Sequence, residues 1–121
     1  MENFSGKPQQ SSELIVLWTS ADREVALKMV FMYTFNAKTK GWWEDVCLIV
    51  WGPSSKLLSE DQELQTYMAK MLEAGVEVVA CKACTDSYGI SEALEKMGIE
   101  VKYMGQPLTE ILKRDAKLIT L

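Results

Sequence analysis

No histidine occurs among the 121 residues. Its absence removes the Ser-His and Cys-His pairs of nucleophilic catalysis and every imidazole ligand to a metal. Any chemistry must therefore run on thiol, carboxylate, lysine, tyrosine or backbone groups. The phosphate-loop pattern GxxxxGK followed by Ser or Thr is missing, and so is GxGxxG, so neither glycine-rich cradle for nucleotide phosphates is present. No apolar run approaches the roughly 20 residues that cross a bilayer, and no membrane association is expected. Bases are in the minority: 13 Lys and Arg against 17 Asp and Glu leave a net charge of −4. That sign is wrong for a surface that must neutralise phosphates, so nucleic acid is not an expected partner. The small basic clusters, Lys38 with Lys40 and Lys113 with Arg114, fall where helices should end and there offset the helix dipole.

Cysteine is scarce and odd in number: Cys47, Cys81 and Cys84. Met1 to Ser12 is polar, without the apolar stretch of a secretory leader. Reduced thiols in the cytoplasm are therefore expected rather than a disulfide framework. A structural zinc needs four ligands, and one CxxC without histidine supplies two. No metal and no organic cofactor is expected.

What is present is an ordinary globular composition, 48% hydrophobic and 25% charged, long enough for one domain with a real core. Residues 1–12 carry almost nothing to bury and read as a disordered N-terminal tail; residues 13–121 form the domain. From there strands and helices alternate. LIVLW within Glu13 to Trp18 is a buried strand, VCLIVW from Val46 to Trp51 is a continuous apolar run, as expected for a strand covered on both faces, and VEVVAC from Val76 to Cys81 makes the third strand. Glu100 to Tyr103 and Lys117 to Leu121 are shorter strands. Apolar residues at Val25, Met29, Met32 and Tyr33 predict a helix from a cap at Asp22 to about Lys38. Leu64, Tyr67, Met68, Met71 and Leu72 predict one long helix between the Gly52-Pro53 turn and Gly75. A short helical turn is expected from Ala83 to Tyr88, a second helix capped by Ser91, and a third with Pro107 in its first turn. The pattern predicts an α/β, doubly wound, three-layer domain around a five-stranded, mostly parallel sheet.

In such sheets reactive groups gather beyond the carboxyl ends of the strands. Cys81 ends the third strand and opens a helical turn, where unpaired N–H groups, the helix dipole and adjacent Lys82 all favour a thiolate. Cys84 follows at CxxC spacing. The competing reading is that both are small, buried and inert. Cys47 lies four residues before the end of its strand, about 13 Å below the loop edge at roughly 3.3 Å per residue. That is too far for a disulfide to Cys81, so it reads as core. Thr19, Ser20 and Trp51 end the neighbouring strands and are expected to line the thiol pocket, with Asp86 beside them. Trp42 and Trp43 read as cover for the end of the first helix or as a subunit contact, and the helical Met residues as core filler.

The segment Gly75 to Cys81 (Gly-Val-Glu-Val-Val-Ala-Cys), the strand–helix order and Gly89 eight positions after the cysteine resemble DsrE/DsrF-like proteins, a family that includes the sulfur-relay subunit TusD. The likeness covers residues 13–121 and is strongest to stand-alone members along Ala80 to Gly89. It implies the strand order 4-3-2-1-5, assembly into trimers or hexamers, and a persulfide on Cys81. In the relay subunits small residues and arginines follow the cysteine; here stand Cys84, Thr85 and Asp86. The reading is a cytoplasmic sulfur carrier in which Cys81 takes sulfur from a donor protein and passes it to an acceptor. Cys84 is the resolving or auxiliary thiol. Two alternatives stay open: a homo-oligomeric module binding a small ligand or metal, and a Cys81–Cys84 redox sensor.

Overall fold

The computed structural model describes residues 12–121; residues 1–11, the body of the expected tail, lie outside it. Ser12 is described, and its carbonyl accepts from the N–H groups of Glu44 and Asp45 at 3.0 and 3.1 Å. Five strands, β1 (Glu13–Trp18), β2 (Asp45–Val50), β3 (Glu77–Cys81), β4 (Glu100–Lys102) and β5 (Lys117–Thr120), form one sheet. Its order is β4-β3-β2-β1-β5, and every neighbouring pair is parallel. Fold class and strand order are those the sequence and the resemblance imply.

Alternation along the strands splits the core in two. Leu14, Val16, Trp18, Leu48, Val50 and Ala80 join one apolar cluster, while Ile15, Ile49, Val79 and Cys81 join another. Topology makes the halves unequal. The steps β1 to β2, β2 to β3 and β3 to β4 all run toward one edge, so right-handed crossovers place their helices on a single face. Only the step from β4 back across the sheet to β5 runs the other way. Its helix, α7 (Gly105–Lys113), covers the second face, with Leu108 and Ile111 on the cluster that holds Cys81.

The helices refine the predicted pattern. The first starts where expected, with the Asp22 carboxylate accepting from Glu24 and Val25 N–H. It runs as α1 (Arg23–Val25), a π-helical stretch over Ala26–Phe31, and α2 (Met32–Thr39). The helix expected between Gly52 and Gly75 is two: α3 (Pro53–Glu60) and α4 (Gln62–Glu73). Asp61 between them is extended (φ −113°, ψ 110°) and caps α4 by accepting from Leu64 N–H at 3.0 Å. The carbonyls freed at the end of α3 are taken up by Gln65, whose Nε2 donates to Leu58 and Ser59. α5 (Lys82–Tyr88) closes on Gly89, which is left-handed at φ 71°. The next helix, α6 (Ser91–Lys96), is preceded by Ile90 at the cap rather than Ser91, because the Ser91 hydroxyl is engaged elsewhere. Trp43 donates from Nε1 to the Tyr33 hydroxyl at 3.0 Å, while Trp42 stays exposed.

Candidate functional site

Cys81 is both the last residue of β3 and the N-cap of α5. An extended conformation (φ −72°, ψ 112°) turns the chain there from strand to helix. The first N–H groups of α5 consequently lack helical partners and surround the strand end. Cys84, three residues on, returns to the same side. Both sulfurs are free, and both residues belong to the apolar cluster with Met104 and Trp51. Their exposures differ: Cys81 is only 3% accessible, while Cys84 is half-buried. Burial pushes the Cys84 thiol up, and a hydrogen bond to Cys81 pushes it further, while a Gly52 N–H pulls it down.

The sequence places the Gly52-Pro53 turn after the second strand but does not mark Gly52 as a site residue, and its position is built carefully. It holds φ 73° and ψ −136° ahead of Pro53, a region essentially restricted to glycine. Ser55 Oγ donates to the Gly52 carbonyl at 2.6 Å, and buried Ser54 Oγ donates to the Trp18 carbonyl at 2.6 Å. The β1 and β2 ends are thus tied together, and the Gly52 N–H is fixed on the Cys84 sulfur. The signal available in the sequence was Gly-Pro directly after an apolar strand.

Lys82 lies on the opposite side of α5. Its ammonium sits 3.0 Å from Asp86 and 5.8 Å from the centre of the Tyr103 ring. Asp86 accepts from Ser91 as well, and these two bonds, Ser91 first, hold its carboxyl below the ordinary range. Thr85, fully buried, shares a 2.7 Å hydrogen bond with Ser91. Lys82, Asp86 and Ser91 thus lock the α5–α6 corner, which supports the thiol loop from behind.

Of the other expected lining residues, Trp51 packs on the cysteine cluster, and its N–H donates to the Trp18 carbonyl at 3.0 Å. Thr19 and Ser20 are spent on the chain end. Thr19 donates from N–H and Oγ1 to the Leu121 carbonyl oxygen at 2.7 and 3.0 Å, and Ser20 N–H joins them at 3.3 Å. Ser20 Oγ accepts from Asp22 N–H.

Cys47 packs against the core cluster as expected but is not fully enclosed. It is half-buried and lines a cavity of about 170 Å³ between the sheet and α7, together with Glu77, Lys102, Met104, Glu110 and Arg114. Burial, then the Glu77 charge, pushes its thiol up to about 12. Cys47 pairs in register with Glu77, four residues before Cys81, which is about 13 Å along the strand. The cavity reaches neither Cys81 nor Cys84. Among the described residues no three Cys, Asp or Glu side chains gather in a metal-binding group, and no helix is long and apolar enough to cross a membrane.

Comparison with known proteins agrees with this fold. The model of the DsrE/DsrF-like family matches residues 12–121. A solved structure titled a conserved protein of unknown function, BT1422 from Bacteroides thetaiotaomicron, is 37% identical with a TM-score of 0.89, over 91% of this chain and 95% of that one. The ychN protein from E. coli shares the fold at 18% identity and a TM-score of 0.67, over 93% and 99% of the two chains. None of the curated proteins matches.

Proposed function

The chain belongs to the DsrE/DsrF-like family, and from that premise we propose that it is a cytoplasmic sulfur carrier with Cys81 as the acceptor. The observation that supports this most directly is the placement of Cys81 at the end of β3 and the N-cap of α5, with Cys84 three residues on in the same apolar cluster. The Cys81 thiolate attacks the outer, sulfane sulfur of a persulfide on a donor protein. The donor leaves as its thiolate, and Cys81 becomes a persulfide. An acceptor thiolate then attacks the outer sulfur and releases Cys81 unchanged.

No histidine is needed, because three other features hold the negative sulfur. These are the unpartnered N–H groups of the first turn of α5, the helix dipole and the neighbouring Cys84 thiol. Trp51 and Met104 keep the site dry, which protects a persulfide from stray thiols. No organic cofactor takes part, and the working assembly is a trimer or hexamer of this chain.

Intact-protein mass spectrometry after incubation with a cysteine desulfurase and cysteine tests this. The expected result is a reductant-labile gain of one sulfur atom that survives in Cys84→Ser and disappears in Cys81→Ser. Native spectra of the same samples should show three or six copies of the 13.7 kDa chain. A Cys81→Ser protein that still gains sulfur would transfer the role to another thiol. No gain in any variant would end the carrier reading.

A further inference from the structure

Nothing in single-thiol transfer requires a second cysteine, yet Cys84 is placed against Cys81 and held there by a glycine that no other residue would replace freely. We propose that Cys84 is a discharging thiol: it attacks the inner sulfur of a Cys81 persulfide, closes a Cys81–Cys84 disulfide and expels the carried sulfur as hydrosulfide. The step rests on the carrier reading above. It balances without an external oxidant. The bond between Cys81 Sγ and the sulfane sulfur breaks as the Sγ–Sγ bond forms. The two cysteine sulfurs supply the two electrons that reduce the sulfane sulfur. The Cys84 proton leaves on the hydrosulfide.

Geometry selects Cys84 for this step. Residues three apart at a helix start hold their Cβ atoms about 5–6 Å apart, and a disulfide wants about 3.8 Å. A small tightening of the first turn closes that gap. Cys47, about 13 Å along the strand, is out of reach. Burial pushes the Cys84 thiol up, so its proton passes to the departing sulfur as the disulfide closes. Exposure then fixes the return step. Cys81 is 3% accessible and Cys84 is half-buried, so a dithiol reductant reaches the disulfide at the Cys84 sulfur. It forms a mixed disulfide there and frees Cys81 for the next sulfur.

The test loads wild type, Cys84→Ser, Cys84→Ala and Cys47→Ala anaerobically with a cysteine desulfurase and cysteine. The donor is then removed, and free sulfide and intact mass are followed with no acceptor added. Wild type and Cys47→Ala should lose the added sulfur, release one sulfide per loaded chain and end two hydrogens lighter than the reduced protein. Both Cys84 variants should hold the added sulfur, with sulfide release falling to the background of the buffer. Wild type that holds its sulfur as long as the Cys84 variants overturns the proposal and leaves the carrier reading intact. Loss of two hydrogens without a matching sulfide equivalent overturns it in favour of a redox pair closed by another oxidant. Cys84 variants that take up no sulfur at all bring down the carrier reading, and this proposal with it.

Discussion

Cys47 and Cys81 occupy adjacent strands and join the same apolar cluster, yet the two thiols meet different surroundings. Cys81 has the helix start and a neighbouring thiol; Cys47 has burial and the carboxylates of Glu77 and Glu13, which together lift it to about 12. Only a thiolate is alkylated. At pH 8 Cys47 should therefore react only slowly with iodoacetamide, its rate rising about tenfold per pH unit toward pH 12. The same shift acts on folding. A thiol whose folded pKa lies above its unfolded value near 9 binds its proton more tightly in the native state. Its stabilisation is complete below pH 9 and is lost as pH rises from 9 toward 12. The slope is at most about 1.4 kcal/mol per pH unit, less because the side chain is only half-buried. Chemical denaturation of wild type and Cys47→Ala at pH 8, 9.5 and 10.5 checks this. The wild type should lose ground against the variant as pH rises, and parallel curves would exclude the shift. None of this was legible beforehand. The position of Cys47 within an apolar run argued for core, and only the placement of α7 decides that a cavity opens beside it. The Lys82–Asp86 pair was legible in principle, since Lys and Asp four apart on a helix meet, but without a helix boundary at Lys82 nothing marked them as partners.

At the scale of elements, the strands were readable because β1, β2 and β3 are largely buried and apolar, with Glu77 the one charged residue inside the run that forms β3. The helices were less so. The break at Asp61 has neither Pro nor Gly to announce it; its cause is a capping carboxylate that also pairs with Arg23. Arg23 lies 38 residues away in the chain, and no local pattern contains that contact. The π-helical turn over Ala26–Phe31 leaves the 3–4 residue apolar spacing almost unchanged, so the sequence looks α-helical through it. For the site, the strand-to-helix turn at Cys81 was legible, whereas Gly52 was not, because the β2–α3 and β3–α5 turns meet only through strand pairing. The β2–α3 turn yields a sharp expectation. A Cβ built on Gly52 meets nothing within 4 Å, so Gly52→Ala creates no clash and acts through the backbone alone. Holding alanine at φ 73° and ψ −136° should cost about 1–3 kcal/mol. Relaxation of that strain turns the N–H away from the Cys84 sulfur. Losing a donor that stabilises the thiolate raises the pKa. Denaturation should show the lower stability, and the pH profile of Cys84 alkylation should move to higher pH. An unmoved profile would mean that the Gly52 N–H does not govern that thiol.

Across the whole molecule, one reversal of direction organises both stability and chemistry. Three successive crossovers lay α1 to α4 and α6 on one face, and the return from β4 to β5 leaves the other face to α7, nine residues long, with Cys84 of α5 at its edge. That face carries all three cysteines in its apolar cluster, so the dryness of the thiol site depends on one helix. α7 has a single fully committed anchor, Ile111 at 7% exposure, flanked by partly buried Leu108; the next residue, Leu112, is 63% exposed and adds nothing to the grip. Ile111→Ala should cost about 2–5 kcal/mol, the range for removing a buried aliphatic side chain. Much of that loss should fall on α7 itself, because few other buried groups hold it. Local opening of α7 should then become frequent at denaturant concentrations where the larger core stays folded. Hydrogen exchange reads the difference. In Ile111→Ala, amides of Leu108 to Lys113 should exchange well ahead of those in β1 and β2, and alkylation of Cys81 should accelerate in parallel. If exchange in α7 and in the central strands rises together, the two faces unfold as one unit, and the shelter of Cys81 is a property of the whole sheet rather than of the returning helix.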